Sequence, residues 1–192
     1  MKQNADERVA QAAGSSPSSI NRDHLLATLT LAFERDQDTT RLVQRDHFGP
    51  LRVQKPLYPE DPSICHAIVV HPPGGVVGGD ELQINARVAN RAHAFLSTPG
   101  AAKWYRANGH ISRQQLRLEV ADQAVLEWMP QETILFNGAD ILLDTSITLS
   151  GQASYIGCEI LCFGRTASGE NFDHGRVRQR LVIHRDSKPL WL

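Results

Sequence analysis

What this chain has little of narrows it before any motif is read. Cysteine is scarce: the 192 residues contain only Cys65, Cys158 and Cys162, an odd set that makes no disulfide framework, so buried thiols acting as small hydrophobes are expected. No apolar run approaches the ~20 residues a bilayer requires, and no signal-peptide core is visible. The expected location is therefore the cytoplasm, with no membrane partner. Charge of one sign is also missing. The net charge is −1, with Lys and Arg scattered along the chain, which leaves no electrostatic footprint for nucleic acid. Helical periodicity is nearly absent, the best candidate being a short turn near residues 101–107 after Pro99-Gly100.

Catalytic and nucleotide signatures are lacking too. No Gly-Lys-Ser/Thr follows a glycine-rich stretch and no G-x-G-x-x-G spacing occurs, so a phosphate cradle does not fit. Ser168, in Thr166-Ala167-Ser168-Gly169-Glu170, is not in a nucleophile elbow, and Ser97 has no accompanying catalytic signature. Ser168 and Glu170 are expected to organise a loop after Arg165 through bonds to local backbone.

What is present is alternation. From His24, Leu25, Ala27, Leu29, Leu31 and Phe33 recur at a period of two, the mark of a strand with one buried face. The same pattern predicts strands at 41–44, 51–54, 64–70, 82–88, 92–96, 114–120, 124–128, 141–149, 154–163 and 177–184, separated by turn signals such as Asn137-Gly138. The fold class is mainly β, with many short strands in an irregular barrel or a β-helix-like stack of sheets, and very little helix. No exact internal repeat is visible. Residues 1–22, rich in Gln, Asn, Ala and Ser, read as a disordered tail, and 23–192 as one β domain. Lys188-Pro189-Leu190-Trp191-Leu192 follows a hairpin turn and leaves a strand edge unpaired.

The densest local signal is His71-Pro72-Pro73-Gly74-Gly75-Val76-Val77-Gly78-Gly79-Asp80. Each proline fixes φ near −65° and each glycine opens positive φ, so the run specifies a path few other residues could follow. Pro73-Gly74 suits positions i+1 and i+2 of a type II turn. Gly78-Gly79 precedes the adjacent carboxylates Asp80 and Glu81.

Glu159 stands inside Tyr155-Ile156-Gly157-Cys158-Glu159-Ile160-Leu161-Cys162-Phe163, a run otherwise apolar on both faces, which implies burial on both sides. A buried carboxylate requires a cation, a donor or a water-filled cavity; a salt bridge to Arg165 and a place in a polar ion path both remain open. Glu127 points opposite Leu126 and Trp128 and is expected in solvent. Cys65, His66 and His71 could gather around a borderline divalent metal if the glycine loop folds back toward Asp80 and Glu81. Cys158 and Cys162, if in one strand, would lie about 13 Å apart and could not chelate.

Gly49-Pro50-Leu51, Pro56-Leu57-Tyr58-Pro59-Glu60, Cys65-His66, the run 71–80, Thr98-Pro99-Gly100-Ala101, Lys103-Trp104-Tyr105-Arg106, residues 126–132 with Glu127, and Gly164-Arg165 through Ser168-Gly169-Glu170 together resemble the urease accessory protein D family, called UreD or UreH. The resemblance runs in order over about residues 25–192. It implies a mainly β, non-enzymatic scaffold that helps deliver nickel to apo-urease in the cytoplasm, acting with the accessory proteins F and G. Nickel would be transient cargo in a water-filled passage, with no tightly bound cofactor. The alternative to that reading is a small metallochaperone binding nickel stoichiometrically through Cys65, His66 and His71. Family members generally continue beyond the point where this sequence stops, so the domain is expected to be incomplete at its C-terminus.

Overall fold

The computed structural model describes residues 24–191; the tail expected over 1–22 lies outside them. Among the described residues, alternating apolar side chains build fifteen strands in three sheets. The largest has seven strands: β15 (Lys188–Trp191), β14 (Arg176–Arg185), β11 (Asp140–Leu149), β8 (Ser112–Val120), β5 (Glu81–Val88), β1 (Leu26–Asp36) and β2 (Thr39–Phe48), in that order. A five-stranded sheet runs β12 (Ser154–Gly157), β9 (Val125–Met129), β6 (His93–Ser97), β4 (Ile64–Val70), β3 (Arg52–Val53). A three-stranded sheet holds β13 (Leu161–Phe163), β10 (Thr133–Leu135) and β7 (Ala102–Trp104).

Chain order and sheet order together show a solenoid. The chain passes β6, β7, β8, then β9, β10, β11, then β12, β13, β14, touching each sheet once per turn, and every such strand pairs in parallel with its counterpart one turn away. The first turn, β4 to β5, uses the His71–Asp80 loop as its third side, Val76 making a parallel bridge to Trp104. This is the stack of sheets, not the barrel, among the two expected forms. The repeat escapes sequence inspection because successive turns share backbone geometry rather than residues.

Inward positions stack in columns. Phe33, Val88, Val120 and Leu149 lie in register across β1, β5, β8 and β11, as do Leu31, Ala86, Leu118 and Ile147 beside them, and all eight are buried. Each fully buried Leu or Ile of this kind contributes about 1.5–3 kcal/mol. The first turn is flanked by antiparallel strands: β2 pairs with β1, β3 with β4. The edge strand β2 carries Arg41, Arg45 and Asp46, charges that discourage further edge pairing. Strand β15 pairs with β14 only at Ile183, His184 and Arg185.

Two of the expected elements take another form. The turn near residues 101–107 is the short strand β7, because parallel pairing with β10 and with Val76 supplies backbone partners that a three-residue run cannot advertise. Residues 154–163 form two strands with a corner between them rather than one. Among the described residues the helical structure is one 3₁₀ turn, Thr166–Ser168, and no helix is long and apolar enough to cross a membrane.

Candidate functional site

The proline-glycine run is ordered as two turns that meet neighbouring loops at backbone distance. In the first, the Gly74 N–H donates to the His71 carbonyl at 3.0 Å, so the bonded turn begins one residue earlier than Pro73-Gly74 suggested; Gly74 has φ +75°. Val76 then bonds both ways to the second turn of the solenoid: its N–H donates to the Lys103 carbonyl (2.8 Å) and its carbonyl accepts from Tyr105 (2.9 Å). In the second turn the Asp80 N–H donates to the Val77 carbonyl at 3.1 Å, with Gly79 at φ +91°. A Cβ on Gly78 would run into the Ala107 carbonyl, and one on Gly79 into the His24 ring. The glycines are therefore required for close approach, not only for flexibility.

Asp80 is 4% exposed. Its Oδ1 accepts the Leu25 N–H and its Oδ2 the Val77 N–H, each at 3.0 Å, fastening the start of β1 to the loop. Glu81 begins β5, where its Oε1 accepts from the Gln83 amide at 2.7 Å. Burial lowers the pKa of His71 more than the Asp80 charge raises it, so the imidazole is held neutral.

Between the sheets is a chamber of about 250 Å³ to which all three contribute, Leu82, Ile84, Gln114 and Leu143 from the seven-stranded sheet included. Its walls are mostly apolar, with Val76, Trp104 and Trp128 among them, and His71, Gln114 and Glu159 supply polar groups. Two nitrogens there are buried without a hydrogen-bond partner among the described residues: His71 Nε2 and Trp128 Nε1. Neither Asp80 nor Glu81 lines the chamber. Gln114 and Trp128 were not singled out from the sequence, although both occupy inward positions of an alternating strand, and a glutamine there is a readable signal.

Glu159 is half-buried, not sealed on both sides. It sits in the corner between β12 and β13, in the last turn of the described solenoid, where Ile156, Ile160 and Phe163 are exposed. Its partner is not Arg165: Gln179 Nε2 donates to Glu159 Oε2 at 2.6 Å. Burial first, and then the Glu159 charge, push the nearby Tyr155 phenol up. Arg165 instead pairs with Glu170 and lies 4.3 Å over the Phe136 ring. Glu170 also accepts the Asn137 N–H at 2.9 Å; that bond first, then Arg165, holds its carboxyl below the usual carboxylate range. The expected bonds to local backbone are not what forms: the Glu170 carboxylate ties Arg165 to the distant Asn137 backbone, and among the described residues the Ser168 hydroxyl makes no side-chain hydrogen bond. Glu127 is half-buried and bonded to His93 Nε2 at 2.7 Å, because the outer face of β6 brings an imidazole beside it, where solvent was expected.

Cys65, His66 and His71 do not converge. Strand alternation buries Cys65 completely and turns His66 to the opposite face, where it bonds Glu60 at 2.9 Å and stacks on Phe95. Burial pushes the Cys65 thiol up. Among the described residues no group of three His, Cys, Asp or Glu side chains is placed to hold a metal ion, and all three cysteines are free, with Cys158 and Cys162 on different strands or corners. Lys103 lies on β7 at the chamber wall, while Arg106 packs its stem under Gly138, 3.3 Å from where a Cβ would stand.

Fold and chamber define a β-solenoid with a few polar groups in a mostly apolar interior. The chain belongs to the UreD urease accessory protein family, which it matches over residues 26–192. It is similar to the urease accessory protein UreD of Janthinobacterium sp. (strain Marseille), 66% identical over 165 residues, covering 86% of this chain and 56% of that protein. The corresponding protein of Nitrosospira multiformis is 52% identical over 167 residues, covering 87% and 60%, and that of Dechloromonas aromatica 48% over 166, covering 86% and 58%. The chain thus spans less than two thirds of the length of these relatives.

Proposed function

We propose that this chain serves urease maturation as a non-enzymatic cytoplasmic scaffold that binds apo-urease with the accessory proteins F and G and passes transiently held nickel toward the urease active site. The observation that carries the proposal is the part-polar chamber inside the solenoid of a UreD-family chain. An ion in transit needs ligands that bind and release, and single groups spaced along an apolar wall do this where a closed thiolate cage would not. Glu159, His71 and Gln114 are such groups, with the Asp80 charge acting on His71 from behind the wall. A stoichiometric metallochaperone built on Cys65, His66 and His71 is not favoured, since alternation along β4 separates the first two.

Expression of the chain with apo-urease and the accessory proteins, followed by affinity purification on the chain, tests the scaffold reading. Recovery of apo-urease and protein F in the same complex is expected. Elution of the folded chain alone, under conditions where a full-length relative retains both, would overturn it.

A further inference from the structure

We propose that the turn over residues 72–75 is a hinged flap on the chamber, latched by the contact of Gly75 with the Tyr105 ring and able to open without breaking a backbone hydrogen bond to the body of the protein. His71, Gly74 and Gly75 form part of the chamber wall, and Pro72, Pro73 and Gly74 are exposed on its outer side. Both ends of the segment are fixed. Val70 pairs with Arg52 in the ladder of β3 and β4, and Val76 is bonded to both Lys103 and Tyr105. Between these anchors Pro72 and Pro73 have no N–H to donate, and among the described residues the one hydrogen bond made by 72–75 is the local one from the Gly74 N–H to the His71 carbonyl. A segment tied so sparsely to the body belongs to the low end of the free-energy range for local opening, and its two prolines keep the tip stiff, so it swings as a unit.

Packing holds the flap down. Gly75 lies so close to the Tyr105 side chain that a Cβ there would overlap the ring, whereas a Cβ on Gly74 would meet nothing within 4 Å. The Tyr105 ring is itself packed edge-on against Phe136, with centroids 4.7 Å apart, and Phe136 lies under the Arg165 guanidinium that Glu170 holds. A ring so backed has little room to yield, so added bulk at position 75 lifts the flap instead. Gly75 is not at positive φ, so an alanine there meets the ring and no backbone strain. Trp104 and Trp128 share the chamber wall with the flap and are 1% and 3% exposed, so an outward swing brings solvent to two indoles that are otherwise sealed. As a gate for nickel the flap rests on the reading of the chamber given above; as a moving wall it does not.

Tryptophan fluorescence tests the flap. Trp191, the third tryptophan of the chain and an exposed one, is first removed as Trp191→Phe, so that the signal comes from Trp104 and Trp128 alone. Against that parent, acrylamide quenching should rise severalfold in Gly75→Ala and in Tyr105→Leu, which removes the latch without adding bulk, at temperatures where thermal melts show the variants folded. Gly100→Ala, elsewhere on the chamber wall where a Cβ meets nothing, should leave quenching unchanged. Tyr105→Leu, which keeps an apolar side chain, decides the matter alone where Gly75→Ala does not fold. Quenching at the parent level in the folded variants, or an equal rise in Gly100→Ala, would overturn the proposal. Freer quenching in Gly75→Ala with full nickel loading of urease would uphold the flap and count against nickel passing through the chamber, so the two readings fail separately.

Discussion

Asp80→Ala gives the sharpest stability test, because the structural work of this side chain is fully specified. Its two oxygens each accept one backbone N–H at 3.0 Å, from Leu25 and Val77, in a site that is 4% exposed. Truncation leaves both donors without an acceptor. At about 1–3 kcal/mol for each buried unsatisfied group, the loss is about 2–6 kcal/mol, a large part of a typical domain's stability. Asp80→Asn keeps one acceptor oxygen and should cost about half as much. Urea unfolding reads the difference as a lower midpoint at constant slope, and hydrogen exchange should show the Leu25 and Val77 amides losing protection first. If Asp80→Ala unfolds within about 1 kcal/mol of the parent, then Asp80 is not the fastener between loop and strand, and the reasoning fails.

Further outcomes follow from particular contacts. Gly78→Ala forces backbone apart at Ala107 and should destabilise by more than about 2 kcal/mol, whereas Gly100→Ala, with nothing within 4 Å of the new Cβ, should be neutral or slightly stabilising by thermal melt. Trp128→Phe removes an indole N–H that has no partner among the described residues, so chemical denaturation should show less than about 1.5 kcal/mol lost, while Leu118→Ala in the inner column should cost about 2–5 kcal/mol. His71 has its folded pKa below the ordinary 6.5, so the unfolded chain binds the proton more readily. Stability is then undiminished above pH 6.5, declines as pH falls through that value and levels off below the folded pKa; His71→Gln should flatten this stretch of the stability profile.

Long alternating runs were legible in the sequence, and those at 64–70 and 82–88 coincide closely with β4 and β5. The three-residue strands were not. Thr133–Leu135 and Ala102–Trp104 carry no period that so short a window can show, and they exist because the parallel ladder of the next turn supplies their partners. The run around Glu159 misled because apolar residues on both faces normally mean a buried strand, whereas here they turn a corner in a solenoid turn that is covered on one side. The candidate site was readable in its unusual residues, Glu159, His71 and the glycine run, but not in their grouping. Asp80 and Glu159 look alike in sequence, yet one is saturated by backbone N–H groups while the other faces the chamber.

Passage of nickel through the chamber would show in the nickel content of urease purified from a host that lacks its own D protein and is supplied with this chain or with its Glu159→Ala form. Glu159 lines the chamber and contributes one exposed-side hydrogen bond to Gln179, so the variant should fold and still co-purify with apo-urease while loading several-fold less nickel. Equal nickel content with the two forms would contradict passage through the chamber.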